Sequence, residues 1–252
     1  MDLQLRDKVA IIAGASRGIG KATALAFAAE GANVVLAARD HDALNVTASE
    51  AASAGVDVLP IPCNLTNPGD AERLVRDTTE RFGRIDALVN SIHFSPRSDD
   101  DSTWQQAFDV LFLTAARMTR LVTPHMRAAG GGSIVHLSSI YGKEAGGRPG
   151  YNAMKSALIS HAKAMAIELA PDGIRVNTVA PGSISSEGGT WWKRQQEDPV
   201  GMAKFVADNI PAGRFGTAEE VANVVVFLSS PRASWVTGAT VVVDGAQSFS
   251  NI

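Results

Sequence analysis

The reading of this chain turns on Val9-Ala10-Ile11-Ile12-Ala13-Gly14-Ala15-Ser16-Arg17-Gly18-Ile19-Gly20. Val9 to Ala13 is apolar at every position, as in a strand covered on both faces of a sheet. A helical pattern follows from Ile19 to Glu30. Between them lie three glycines spaced G-x-x-x-G-x-G rather than G-x-G-x-x-G. Glycines let a backbone approach a pyrophosphate, and a helix amino terminus presents N–H groups and the positive end of its dipole. A glycine turn alone is a weak sign. A strand before it and a helix after it make it a nucleotide-phosphate cradle.

The same alternation continues outward. Strands are expected at Asn33 to Ala38, Val56 to Ile61, Ala87 to Asn90, Ser133 to Ser138, Arg175 to Val179 and Thr240 to Val243. Helices are expected at Asp42 to Ala54, Gly69 to Phe82, Thr103 to about Ala128, Tyr151 to Ala170 and Ala218 to Ser229. Strands separated by helices predict an α/β fold, a doubly wound parallel sheet with helices on both faces. No repeat, linker or low-complexity tract divides the chain, so one domain over 1–252 is expected. Ligands of such sheets bind beyond the carboxyl ends of the strands. The glycine loop, Asn90, Ser139 and Pro181-Gly182 all follow strands, so they would gather along one edge.

Composition narrows the function. The 252 residues carry a net charge of -3, with 45% hydrophobic and 19% charged residues, and no basic block suited to nucleic acid. The acidic run Asp99-Asp100-Asp101 reads as a helix start. A single cysteine, Cys63, excludes an internal disulfide and a cysteine-rich metal site, and it reads as a small buried hydrophobe. No metal is expected. No stretch is apolar and long enough to span a bilayer, and the amino terminus lacks a secretory core, so a cytoplasmic location is expected.

Tyr151 and Lys155 stand four residues apart in a helical pattern, which places phenol and ammonium on one face. A free tyrosine titrates near ~10. A cation one turn away favours the phenolate and lowers that value. Ser139, delivered from a strand end, can hold a carbonyl oxygen beside the phenol, and this set suits proton exchange with an oxygen while a hydride moves elsewhere. On the cofactor side, an acidic residue at the end of the second strand would bind a ribose 2′-hydroxyl. Here the strand ends Leu36-Ala37-Ala38-Arg39, and Arg39 with Arg17 suits a 2′-phosphate, which points to NADP(H).

Taken together, the chain resembles the classical short-chain dehydrogenases/reductases over nearly its whole length. The resemblance rests on Ala13-Gly14-x-x-x-Gly18-Ile19-Gly20, Ser139, Tyr151 with Lys155, and Arg175-Val176-Asn177 leading to Pro181-Gly182. It continues through Arg214-Phe215-Gly216, Glu219-Glu220-Val221-Ala222 and Thr237-Gly238 to Val243-Asp244-Gly245. It implies a single Rossmann domain with a seven-stranded sheet. It also implies hydride transfer between a nicotinamide and a ketone, including a 3-oxoacyl-type carbonyl, or the corresponding alcohol. By position, Tyr151 would be the acid/base, Lys155 would tune it and hold the nicotinamide ribose, and Ser139 would orient the substrate oxygen. Ser138 is the neighbouring candidate. Gly14, Ser16, Arg17, Gly18, Ile19 and Gly20 would face the cofactor phosphates and ribose. Asn64 and Leu65 would lie near the adenine. Asn90, Pro181, Gly182 and Ile184 would flank the rest of the cofactor, and Ser186 takes the place of a frequent threonine.

Two departures stand out. The family's Asn-Asn-Ala-Gly is here Asn90-Ser91-Ile92-His93, and its catalytic helix asparagine falls on Leu111. Leucine cannot bond the water that, in the family, links the lysine to solvent. The proton route would then be rebuilt, with His93 as a candidate shuttle. The competing reading is a nucleotide-binding protein with lost or altered redox activity. The segment from Ser183 to Pro211 corresponds to the family's substrate lid. Its glycines, Trp191 and Trp192 suggest a hinged apolar cover, with His93 and Tyr141 also near a small, apolar carbonyl or alcohol substrate. The helix from Tyr151 is apolar on nearly every side, and the resemblance implies a homo-oligomer, a tetramer or else a dimer.

Overall fold

In the computed structural model, which describes residues 1–251, all five residues of β1 (Val9–Ala13) are buried. This satisfies the expectation from an unbroken apolar run. The chain then builds α1 (Gly18–Ala29), β2 (Asn33–Ala38), α2 (His41–Ala52), β3 (Val58–Pro62), α3 (Pro68–Phe82) and β4 (Ala87–Asn90). Next come α4 (Asp101–Ala107), α5 (Thr114–Ala128), β5 (Gly132–Leu137), α6 (Pro149–Leu169) and β6 (Ile174–Pro181). The last part holds β7 (Ile184–Ser185), α7 (Thr190–Glu197), α8 (Pro199–Asn209), β8 (Gly216–Thr217), α9 (Ala218–Ser229) and β9 (Thr240–Val243).

Seven strands form one sheet in the order β3-β2-β1-β4-β5-β6-β9, and every pairing is parallel. The strand order reverses between β1 and β4, which opens the crevice where such sheets take ligands. Alternate residues of each strand enter two cores. Ile11, Leu88, Ile134 and Val176 meet Leu74, Met118, Val122 and Ala162 beneath α3, α5 and α6. Ile12, Val89, Val135 and Val179 meet Phe27, Leu44, Val221 and Val225 beneath α1, α2 and α9. This is the single-domain Rossmann architecture, doubly wound.

The helix expected from Thr103 to Ala128 is interrupted. Between α4 and α5, Phe108–Leu113 is a π-helical turn, and Thr114 Oγ1 donates to the Asp109 carbonyl at 2.8 Å. Single π turns often mark functional positions. The acidic run is a capping device: Asp100 accepts from the Thr103 N–H at 2.8 Å, and Asp99 accepts from Trp104 Nε1 at 2.9 Å. The segment from 183 to 211 contains two helices, α7 and α8. Strand β7 pairs with β8 at the base of this segment.

Candidate active site

The parallel sheet puts the carboxyl ends of β1, β4, β5 and β6 on one edge, so Gly14, Asn90, Ser139 and Pro181 reach the same crevice. Gly14 has φ +91, and a Cβ there would stand 2.7 Å from the Ser91 carbonyl oxygen. A side chain at Gly20 would strike the Gly14 carbonyl. Both positions therefore exclude anything larger. Arg17 stands at the amino terminus of α1 and no side chain caps that end, so its N–H groups face the crevice. The Arg17 and Arg39 guanidinium groups are exposed, and no described residue forms a hydrogen bond or ion pair with either. The carboxylate after Arg39 belongs to Asp40, which caps α2 through the Ala43 N–H at 3.1 Å. An uncapped helix end and two tight glycines fit a dinucleotide, and two unpaired arginines stand beside them.

Elsewhere along this edge, Asn64 is exposed, and its Oδ1 accepts from the Thr66 hydroxyl at 3.0 Å. Its amide nitrogen remains available. The neighbouring Leu65 is buried, with its carbonyl held by Arg117 at 3.0 Å. Ser183, between Gly182 and Ile184, is fixed by Gln247, which accepts from its N–H at 2.8 Å and donates to its hydroxyl at 3.0 Å. Ser186 and Ser16 lie by the glycine loop; the Ser186 hydroxyl would be 3.3 Å from a Cβ on Gly18.

The two serines after β5 divide their work. Ser138 donates to the Lys155 carbonyl at 2.8 Å and ties α6 to the strand end. Ser139 accepts from the Tyr141 N–H at 3.2 Å and hydrogen-bonds Tyr151. Lys155 is 2% exposed. Its Nζ donates to the Leu137 carbonyl at 2.6 Å and lies 5.6 Å from the centre of the Tyr151 ring. Ser139, Tyr151 and Lys155 therefore converge.

Burial acts on both titrating groups. It pushes the Lys155 ammonium down to about 7. It pushes the Tyr151 phenol up to about 12, against the hydrogen bond from Ser139, while nearby Tyr141 adds to the rise. The expectation that Lys155 lowers the tyrosine does not hold here: desolvation of the phenolate is the largest influence on Tyr151, and it raises the value.

His93 lies at the cleft mouth with its ring edge-on to Tyr151, centroids 5.9 Å apart. Desolvation, then Lys155 and Arg17, hold it below the usual imidazole range. Tyr141 packs against the Gly146-Gly147 backbone. Trp191 stacks on Phe205 at 4.8 Å and meets Phe215 at 5.3 Å, with the Arg194 guanidinium 5.1 Å over its ring. Trp192 remains 36% exposed. Thus the structure builds Trp191 into the base of the 183–211 segment and leaves Trp192 outside. Leu111 is buried in the π turn and offers no polar group.

Asn90 does not aim its side chain at the cofactor crevice. Its Nδ2 donates to His136 Nδ1 at 3.0 Å inside the core. The sequence reading missed His136. The available signal was a histidine inside Ser-Ile-Val-His-Leu, an otherwise apolar strand. The Cys63 thiol is free and buried, with its pKa raised to about 11, first by burial and then by Asp70. No cluster of metal-binding side chains exists among the described residues, and no described helix is long and apolar enough to cross a membrane.

Known proteins share the sequence pattern and fold of this chain. The family described as enoyl-(acyl carrier protein) reductase fits residues 14–246. The 3-oxoacyl-(acyl-carrier-protein) reductase FabG of Thermotoga maritima is 36% identical over 250 residues, covering 96% of this chain and 98% of that protein. Human dehydrogenase/reductase SDR family member 4 is 34% identical, covering 96% and 87%. L-Sorbose reductase of Gluconobacter frateurii, solved with NADPH and L-sorbose, superposes with a TM-score of 0.94 at 35% identity over 99% of this chain and 100% of that one. A 7α-hydroxysteroid dehydrogenase solved with NADH and 7-oxo glycochenodeoxycholic acid gives 0.90 at 29% identity over 99% and 97%. With the serine, tyrosine and lysine meeting beside an uncapped glycine turn, the chain belongs to the short-chain dehydrogenase/reductase family of oxidoreductases.

Proposed function

We propose that this protein is an NADP(H)-dependent reductase that converts a ketone to a secondary alcohol, or runs the reverse, with Tyr151 as acid/base. The observation that carries the reading is the convergence of Ser139, Tyr151 and Lys155 on one crevice edge, next to the Gly14–Gly20 turn. NADP(H) supplies the hydride when bound. The α1 amino terminus and the glycine turn would hold its pyrophosphate, and Arg17 and Arg39 its 2′-phosphate. The preference over NAD is supported by Ala38, which leaves no acidic side chain at the end of β2, while Asp40 is committed to capping α2.

The chemistry assigned to the side chains follows from their surroundings. Ser139 donates to the substrate oxygen. Tyr151, held as a neutral phenol, donates its proton to that oxygen as negative charge develops there. Lys155, poised near neutrality, offsets the phenolate left behind and returns a proton to it. The segment 183–211 would act as an apolar lid over the substrate, within the one domain.

A second reading, a nucleotide-binding protein without redox turnover, has one observation in its favour: Leu111 is buried and apolar where the family carries its helix asparagine. One assay separates the two. NADPH oxidation is followed with cyclic ketones, ketoses and 3-oxoacyl thioesters. The reductase reading expects turnover with at least one of them, and tight NADPH binding with none reduced would establish the second reading. A homo-oligomer fits Ile167, an α6 residue left 70% exposed. A cytoplasmic setting fits a chain with no membrane-crossing helix among its described residues.

A further inference from the structure

Beneath α5 and α6, three polar side chains form a row across adjacent strands: Asn90 on β4, His136 on β5 and Thr178 on β6. Their backbones are in register, Asn90 opposite His136 and His136 opposite Thr178, so all three point to the same face of the sheet. They are 5%, 0% and 0% exposed, in a layer otherwise filled by Ile134, Val176 and Met118. Such groups are tolerated inside a protein only when they are hydrogen-bonded. Yet Asn90 Oδ1, His136 Nε2 and Thr178 Oγ1 have no partner among the described residues, nor has Nδ1 of His161, which stands above them on α6. The Asn90 amide and His136 Nδ1 stand 3.0 Å apart and pair with each other. The row therefore still presents a second polar atom of Asn90, the Nε2 of His136 and a hydroxyl of either kind at Thr178. Internal water bonds to two to four such groups.

The row adjoins the catalytic lysine. Lys155 Nζ has three protons and one protein acceptor, the carbonyl of Leu137, the residue next to His136. Its charge also acts on His136, whose imidazole is held neutral by burial, by His161 and by Lys155. At the other end, the His136 and His161 rings lie with centroids 5.5 Å apart and no direct hydrogen bond between them. His161 is only partly covered, with Phe112 edge-on at 5.7 Å and Arg120 and Glu168 as its charged neighbours. It is thus the member of the set nearest the surface of the single chain.

We propose that Asn90, His136, Thr178 and His161 hold a chain of internal waters that carries protons between Lys155 and solvent, and that this path takes over the connection Leu111 cannot make. The proposal rests on the reductase reading above. Each carbonyl reduced takes up a hydride at carbon and a proton at oxygen. That proton leaves Tyr151, is replaced from Lys155, and is recovered from bulk water along the row. His136 and His161 are positioning residues in this scheme, since neither touches the reacting atoms.

The test uses the full chain with 15N-labelled histidine and no cofactor. Exchange of the His136 ring N–H proton with water is measured by magnetisation transfer in the parent, in His161→Phe and in Thr178→Val. Loss of the outer gate should slow exchange about tenfold or more, whereas equal rates in parent and variants, or a parent proton protected for hours, would overturn the proposal. In parallel, steady-state kinetics use NADPH and the ketone that the parent reduces fastest. His161→Phe should lower kcat about tenfold with KM within about twofold, and His161→Gln, which keeps polar atoms at the gate, should restore most of it. An unchanged kcat in both His161→Phe and Thr178→Val also overturns the path. Because the exchange experiment needs no turnover, a parent that reduces no carbonyl defeats the reductase reading while exchange still decides the water chain.

Discussion

Lys155 Nζ is bonded at 2.6 Å to the carbonyl of Leu137, the last residue of β5. This hydrogen bond joins α6 to the strand that leads into Ser139. It also keeps an amine in a place where its charge is disfavoured: burial brings the ammonium from 10.5 down to about 7. The site is therefore held at a cost to stability, as active sites commonly are.

The cost has a definite pH signature. The unfolded chain binds a proton at this lysine up to pH 10.5, whereas the native chain releases it near 7. Between those values the unfolded state holds more protons, so the lysine makes stability rise with pH across that window. Replacing it with methionine removes the penalty but leaves the Leu137 carbonyl without a donor. A net gain of about 1–3 kcal/mol at pH 7 is expected. Lys155→Met should thus melt about 2–8 °C higher at pH 7, and the gain should shrink as pH approaches 9.5. Melting curves at pH 6.5, 8 and 9.5 check this, and a variant that melts below the parent at pH 7 contradicts it. The window closes near pH 10, where Tyr151, raised from 10 to about 12, begins to lower stability as pH rises.

Tyr151→Phe deletes the hydroxyl proposed as the proton donor to the substrate oxygen while preserving the ring against which His93 packs. A fall in kcat of about 10²–10⁴-fold is expected, with NADPH affinity within about threefold of the parent. Ser139→Ala should lose about 10–10²-fold, since the tyrosine remains but one hydrogen bond to the developing charge is gone. Stopped-flow hydride transfer with cofactor titration by fluorescence separates these effects. A phenylalanine variant with parental kcat would remove Tyr151 from the mechanism.

The sheet was legible because its strands are buried on both faces, and such strands must be apolar throughout. Every strand of the seven-stranded sheet lies within about two residues of the range expected from its apolar run. The glycine loop was legible because Gly14 and Gly20 meet backbone atoms that no side chain can avoid. The π turn at Phe108–Leu113 was not legible, since its apolar residues fit a straight helix equally well and the extra residue is taken up in backbone hydrogen bonds. Burial was the other blind spot. The four-residue spacing of Tyr151 and Lys155 gives their proximity but not the dielectric around them, and it is the dielectric that sets the direction of both pKa shifts. The polar row escaped notice for a similar reason: Asn90, His136 and Thr178 are 46 and 42 residues apart and become neighbours only through strand register.

Arg39 follows β2 with its guanidinium unpaired, and Arg17 stands across the crevice at the start of α1. If both hold a 2′-phosphate, each supplies a charge-assisted hydrogen bond of about 1.5–3 kcal/mol. Arg39→Asp should therefore weaken NADPH binding by about 10–10²-fold, and more through repulsion. It should improve NADH binding, because the new carboxylate can accept from the free ribose hydroxyls. Titrations of both cofactors at two salt concentrations check the claim. Equal losses for NADPH and NADH would place Arg39 outside cofactor discrimination.

Trp191 and Trp192 are adjacent in sequence but separate in structure, and the difference can be measured. Trp191 stacks on Phe205 and meets Phe215, which also pack on each other at 6.1 Å, so it links α7 to α8 and to the chain leading into β8. Removing it deletes two aromatic contacts of about 0.5–1.5 kcal/mol each, together with buried area, from a segment in which neither helix contains a fully buried residue. The segment should then populate open arrangements. Trp191→Ala should raise KM for the ketone about tenfold with a smaller change in kcat, and should speed proteolysis between 186 and 211. Trp192→Ala, which removes a partly exposed side chain, should leave the proteolysis rate within about twofold of the parent. If the two variants behave alike, the aromatic stack does not hold the segment closed, and substrate affinity must be set by side chains elsewhere in the cleft, with His93 and Tyr141 the first to substitute.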